Sequence, residues 1–206
     1  MANVYQKEYS AKTVPFLPSL KENWALKPAT KIHSEKELII GVVGQLYSVE
    51  EWQKLIVALD KTSWKIGKRE VKIRILASCA NLYSYKPARI EFLGYHSQKD
   101  TVNLISHADI LYCPYIFNPE FKKVSELSFP GKLITYLASG RPVFFHGPVY
   151  AGPGGFLKKN KAGFVCNSLD PEIIIRDLKE LINNKKLYAQ LADNGHKMFK
   201  KYFTFA

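Results

Sequence analysis

The sequence predicts an α/β fold, a parallel sheet with helices on both faces, and three observations carry that prediction. From Glu37 onward, short apolar runs alternate with stretches whose apolar residues recur at helical spacing, the pattern of strand-helix-strand units. The runs Leu38 to Val43, Asp109 to Cys113 and Arg141 to His146 are nearly continuous rather than alternating, as expected of strands covered on both faces. A chain of 206 residues with 47% hydrophobic content can also bury a substantial core as one main domain.

Residues 1–37 are polar, carry Pro15, Pro18 and Pro28, and offer one short extended candidate, Lys12 to Leu17. They read as a linker or a tail. The domain proper is expected over residues 38–206, starting with the strand Leu38 to Val43 and a helix carrying Trp52, Leu55, Ile56 and Leu59 on one face. Strands follow at Val71 to Ala77 and Ile90 to Leu93, then a weaker helical stripe over Gln98 to His107 and a strand, Asp109 to Cys113, stopped by Pro114. Pro130 to Ser139 reads as a helix, with proline suited to its first turn and Gly140 to a left-handed stop. After the strand Arg141 to His146 comes a glycine-rich stretch, Gly152 to Gly155, read as a loop, and a short strand, Gly163 to Cys166. Asp170-Pro171 is a helix start, with Ile174, Leu178, Leu181 and Ile182 as its apolar face. A final helix is expected over Lys186 to Tyr202, with Leu187, Leu191, Met198 and Tyr202 inward.

The apolar runs are too short to cross a bilayer, and Met1 is not followed by a basic-then-apolar leader, so a cytoplasmic protein is expected. Cys79, Cys113 and Cys166 are far apart and sit in or beside apolar runs, which fits buried free thiols better than metal ligands. His33, His96, His107, His146 and His196 show no metal-binding spacing. The formal net charge of +12, with lysine and arginine dense over Lys61 to Arg74, Lys158 to Lys161 and Lys185 to Lys201, suggests an anionic partner.

In an open parallel sheet, ligands collect beyond the carboxyl ends of the strands, at loops leading into helix N-termini. Three segments qualify: Gly44 to Ser48, the loop from Pro114 and Tyr115 to Pro130, and His146 to Pro148. Gly44 would let the backbone approach a ligand closely, or would simply make a tight turn. No dinucleotide glycine fingerprint follows the first strand. The loop Phe117 to Phe129 is long and polar and holds Glu120, Glu126 and Ser128. Lys132 falls in the first turn of the following helix, where the dipole disfavours a cation. Either the lysine is merely solvated, or it and the helix N-terminus face the same anion.

The sequences Phe92-Leu-Gly94, Ala108-Asp-Ile-Leu-Tyr-Cys-Pro114 and Pro130-Gly-Lys-Leu-Ile-Thr-Tyr-Leu-Ala-Ser-Gly-Arg-Pro-Val143 resemble the C-terminal, donor-binding domain of the retaining glycosyltransferases called glycosyl transferases group 1. The resemblance runs in order over roughly residues 38–203, and Ala138-Ser-Gly-Arg-Pro-Val143 is its most specific part. It implies a Rossmann-like domain, the C-terminal half of a GT-B fold, with a nucleotide-sugar donor as substrate and no separate cofactor or metal. Lys12-Thr-Val-Pro-Phe-Leu-Pro18 then resembles the last strand and linker of an N-terminal acceptor domain absent from the chain. Two departures stand out. Gln45 occupies the place of a basic residue, and Thr135 the place of the ribose-binding glutamate, while the position of the partner glutamate falls on Leu127, beside Glu126.

By this resemblance, Gly44, Gln45, Thr135, Lys132 and the helix opening at Pro130 would bind the nucleotide and its phosphates. Tyr115, Ser128 and His146 would line the sugar side, with Glu126 as the catalytic carboxylate. The leading reading is therefore the donor half of a glycosyltransferase that moves a sugar to an acceptor by positioning and electrostatics. Its partners would be the nucleotide-sugar, the absent acceptor domain and an anionic membrane at whose inner face it sits peripherally; no specific nucleic-acid motif is present. The competing reading is a non-catalytic basic module that binds a polyanion, nucleic acid or anionic lipid.

Overall fold

The computed structural model describes residues 2–14, 17–45, 48–77, 84 and 86–205. Cys79, Leu46, Tyr47, Pro15 and Phe16, each within a segment discussed above, lie outside the described residues. The chain runs α1 (Ala2–Tyr9), β1 (Leu20–Lys21), β2 (Glu37–Val43), α2 (Val49–Lys61), β3 (Lys65–Ile66), β4 (Arg69–Leu76), β5 (Ile90–Phe92), α3 (Gln98–Ile105) and β6 (Ile110–Pro114). It continues through α4 (Lys122–Leu127), α5 (Gly131–Ala138), β7 (Val143–His146), α6 (Gly152–Lys159), β8 (Phe164–Cys166), α7 (Pro171–Asn183), α8 (Lys185–Tyr202) and β9 (Thr204–Phe205).

Seven strands form the main sheet in the order β3-β4-β2-β6-β7-β8, with β5 also on β4. Every pairing in it is parallel except the short β3 and β4 contact. The expected architecture is thus the observed one. Successive residues of the central strand β6 feed opposite layers: Ile110 and Tyr112 join the core under α2 and α7, whereas Leu111 and Cys113 join the core under α3, α5 and α8. This two-residue alternation makes the strand apolar on both faces.

β2 and β6 are adjacent but pair only at Ile40 with Ile110 and Gly41 with Leu111. Beyond that point they separate, and the Tyr136 hydroxyl from α5 takes over the ladder. It accepts from Val43 N at 2.9 Å and donates to the Tyr112 carbonyl at 3.1 Å. Tyr136 is fully buried, so a hydrogen-bonding group here is needed to keep two backbone groups paired. At the opposite end of the sheet, the buried Asp109 carboxylate accepts from His33 N, His33 Nδ1 and Ile39 N at 2.7, 3.0 and 2.8 Å. His33 Nε2 accepts in turn from Arg141 at 2.5 Å.

Several local expectations are revised. The segment read as a linker is, from Leu20, part of the folded body. β1 pairs in parallel with β9, Leu20 and Ile32 are buried, and Leu26 N and Ala29 N donate to the carbonyls of Ala138 and Gly140 at 2.9 and 2.8 Å. Those bonds satisfy carbonyls that the end of α5 leaves without helical partners. Residues Lys12 to Val14 and Leu17 have no regular structure, and a helix, α1, precedes them. The polar loop after β6 contains α4. The glycine-rich stretch opens α6: a Cβ on Gly152 would sit 2.8 Å from the Glu126 carbonyl, and one on Gly154 2.8 Å from the Phe145 ring. Glycine serves close packing there rather than a loop. In α8 the inward residues include Tyr188 and Phe199, whereas Tyr202 is exposed.

Gly140 ends α5 as expected, at φ +72°, and a Cβ there would lie 2.5 Å from the Lys27 carbonyl. Gly140→Ala combines a left-handed penalty of about 1–2 kcal/mol with displacement of the Lys27 backbone. Chemical denaturation is expected to show a loss of about 2 kcal/mol or more.

Candidate functional site

The point where β2 parts from β6 is also where the strand order reverses: the chain proceeds from β2 to β4 on one side and reaches β6 on the other. Such a crevice is where an open α/β sheet holds its ligand. A cavity of about 590 Å³ opens there. Its floor is Val43, Gly44 and Gln45 after β2 and Leu76 after β4; one wall is Pro130, Gly131, Lys132 and Thr135 of α5, and the other is Tyr95, His96, Gln98 and Thr101. Pro18, Ser19 and Leu20 complete the rim.

Each wall has a local cause. Gly44 turns the chain out of β2 at φ +75°, with its N–H on the Leu76 carbonyl at 3.1 Å; the left-handed conformation suits glycine, and no atom lies within 4 Å of where its Cβ would be. Pro130 caps α5 in extended conformation, so the first helical N–H groups, which lack intrahelical acceptors, belong to the residues lining the cavity. Ser97 caps α3 by accepting from Asp100 N at 3.2 Å, which sets Gln98 and Thr101 on the opposite wall.

Among the described residues that line the cavity, Lys132 is the one lysine or arginine, and none is an aspartate or glutamate. Its Nζ donates to the Gln45 carbonyl at 3.1 Å, drawing the ammonium across from α5 to the β2 loop. Burial pushes its pKa below the ordinary lysine value, because losing water disfavours the charged form of an ammonium. The lysine is therefore not simply solvated. Together with the positive end of α5 it makes a site that favours an anion.

Of the residues singled out from sequence, Gly44, Gln45, Lys132 and Thr135 meet at this cavity, while Tyr115, Ser128, His146 and Glu126 are not among its lining. The Tyr115 hydroxyl pairs with Ser128 Oγ, which donates to the Val124 carbonyl at 2.7 Å, so this pair ties the loop after β6 to the end of α4. Glu126 lies on the exposed side of α4, 3.9 Å from Lys122 Nζ. His146 is fully buried. Its Nε2 lies 2.7 Å from the Ser168 carbonyl and so donates, leaving Nδ1 to face the Tyr112 hydroxyl at 2.7 Å as acceptor. Beside it, Glu51 is buried with Phe117 N donating to its Oε1 at 2.8 Å, and burial raises its pKa.

The wall from Tyr95 to Thr101 is not among the segments selected from sequence. Its signal is there nonetheless, because this loop also follows a parallel strand and leads into a serine-capped helix, the same rule that selects the other three segments. Three basic residues of the run Lys61 to Arg74 are neutralised: Arg69, Lys72 and Arg74 pair with Glu35, Glu37 and Glu91 at 2.6, 2.7 and 2.8 Å. The charge available to a polyanion on this run is reduced accordingly. Cys113 and Cys166 are free and buried, their thiols pushed up to about 11 and about 12. Among the described residues, no group of three or more His, Cys, Asp or Glu side chains is gathered for a metal, and no helix is long and apolar enough to cross a membrane.

The sequence profile of the glycosyl transferases group 1 family matches residues 37–184, and the chain belongs to that family. No curated protein matches the chain at the level of sequence. Among solved structures it is similar to sucrose-phosphate synthase from Thermosynechococcus elongatus, at 13% identity and a TM-score of 0.68, covering 98% of this chain and 52% of that one. It is similar to HepE of Anabaena in complex with UDP and glucose, at 14% identity and a TM-score of 0.60, covering 82% and 45%. It is also similar to the C-terminal domain of a glycosyl transferase group 1 family protein, LpcC, from Francisella tularensis, at 15% identity and a TM-score of 0.60, covering 91% and 100%. The chain thus spans about half the length of the first two structures and the whole of a C-terminal domain.

The buried imidazole gives a direct check on its role. Burial holds the His146 pKa at about 4 against an unfolded value of 6.5, so between these values the unfolded chain binds the extra proton. Stability is then full above pH 6.5 and falls as pH drops towards 4, by about 3 kcal/mol from this group. Urea titrations across that range should show the slope in the parent and a flatter profile in His146→Gln.

Proposed function

We propose that this chain is the donor-binding half of a glycosyltransferase that takes a nucleotide-sugar as substrate, with no further cofactor. The observation that carries this reading is the cavity at the strand divergence. A helix N-terminus, the Gly44 turn and a desolvated lysine converge there on a space whose lining includes no carboxylate. Such a site suits the diphosphate of a nucleotide-sugar, because helix N–H groups and an ammonium both favour an anion. Family membership supports the same reading.

In this account Lys132 and the N–H groups of α5 hold the diphosphate and stabilise the charge that grows on it as the sugar leaves. Gly44 lets the backbone come within contact distance, and Gln45 holds Lys132 in place through its carbonyl. Thr135, Gln98 and Thr101 offer neutral hydrogen-bonding groups to the rest of the nucleotide. The acceptor would be presented by a companion acceptor-binding half, joined through residues 2–18, and the protein would work in the cytoplasm, peripherally at an anionic membrane.

Titration calorimetry with a nucleoside diphosphate tests the phosphate contact. Lys132→Ala is expected to lower affinity tenfold to a hundredfold, the equivalent of about 1.5–3 kcal/mol for a charged hydrogen bond. The bare nucleoside should bind parent and variant alike. In the parent, diphosphate affinity should decline as pH rises through the depressed lysine pKa, before the ordinary 10.5 is reached; the variant should lack that decline. Equal diphosphate affinities in the two proteins would remove the lysine from the site.

A further inference from the structure

The two walls of the cavity at the strand divergence differ in chemistry. Lys132 and the first turn of α5 make one wall favourable to an anion. On the other stand Tyr95 and His96, which carry the aromatic rings among the described residues lining the cavity. Tyr95 is 68% exposed, and Leu76, almost fully buried, gives the floor an apolar patch. A flat ring with an apolar face suits such a wall better than a phosphate does.

The hydrogen bonding of His96 limits what it can recognise. Its Nε2 lies 2.8 Å from the Leu93 carbonyl oxygen. A carbonyl oxygen only accepts, so Nε2 carries the hydrogen, and in the neutral ring Nδ1 keeps its lone pair as an acceptor. Gly94, at φ +76°, makes the turn between Leu93 and Tyr95 that closes this bond. Leu93 itself is not part of the lining, so Nε2 is held by the backbone of its own loop. Among the described residues no hydrogen bond engages Nδ1. The loop thus fixes one tautomer and leaves a directional acceptor on a residue of the cavity wall.

We propose that Tyr95 and His96 form a nucleobase subsite, in which His96 Nδ1 accepts the ring N–H that uracil and guanine carry and that adenine and cytosine lack. The inference rests on the donor reading above and adds the residue that selects the nucleotide. Adenine and cytosine would set a ring lone pair against that of Nδ1, and two acceptors with no hydrogen between them repel. Tyr95 stacks on any base, so it adds affinity without choice.

Titration calorimetry of the full chain with UDP, GDP, ADP, CDP and inorganic pyrophosphate tests the assignment. The parent should bind at least one of UDP and GDP about tenfold more tightly than ADP and CDP, the ratio that one neutral hydrogen bond sets. The diphosphates of 3-methyluridine and 1-methylguanosine, in which a methyl group replaces the ring N–H hydrogen, should lose that advantage on the parent itself, a comparison that needs no variant. In His96→Ala the preference among the bases should vanish while pyrophosphate affinity stays unchanged, and Tyr95→Ala should weaken all four nucleotides alike. Equal affinities for the four nucleotides in the parent would overturn the proposal, as would methylated ligands that bind as tightly as their parents. So would an His96→Ala variant that weakens pyrophosphate as much as UDP, since that result places the histidine at the phosphates. Failure of every ligand to bind would instead overturn the donor reading, and this assignment with it.

Discussion

The Tyr136 hydroxyl is the contact on which the arrangement of the site depends. Two parallel strands that stayed paired to their ends would leave no crevice, and two that simply separated would leave buried N–H and carbonyl groups without partners, at about 1–3 kcal/mol each. The hydroxyl resolves this by bonding to Val43 N and the Tyr112 carbonyl at once. One side chain thereby holds the strands apart, keeps the backbone satisfied and fixes α5 against the carboxyl ends of both. Lys132, one helical turn before Tyr136, takes its position from that anchor.

The far end of the sheet uses a related device. Asp109 collects N–H donors from the segment around His33 and from β2, and Tyr188 of α8 donates to its carbonyl oxygen at 2.5 Å. The polar clamp at one end and the hydroxyl wedge at the other bracket a core that is mainly aliphatic and aromatic. Polar groups thus sit where strands begin or diverge, and the apolar layers between them need no directional bonds.

The strands and long helices were legible in the sequence because both faces of the sheet are covered, so that burial leaves unbroken apolar runs such as Ile110 to Cys113. That Lys132 and Gly44 stand out in the sequence, and meet at one cavity, has another reason: each is at odds with its local setting, a cation at a positive helix end and a glycine leaving a strand. The placement of His146 and Glu126 was not legible, because residue type says nothing of direction. His146 points into the core at the end of β7, and Glu126 points outward from a helix not anticipated in that loop. The packed course of Leu20 to His33 was also hidden, since its contribution is largely backbone hydrogen bonding to the end of α5 and to Asp109, to which side-chain pattern is blind.

The pairing of β1 with β9 joins Leu20 to Thr204 and Lys21 to Phe205. The path into the folded body and the path out of it therefore run side by side, hydrogen-bonded, at one corner. In topological terms the body from Leu20 to Phe205 is a loop closed on itself, its entry strand and its exit strand one strand spacing apart, about 5 Å. That pair forms a sheet of its own, so entry and exit are tied to each other rather than to the seven-stranded sheet, and tension along either path falls first on two residues of ladder.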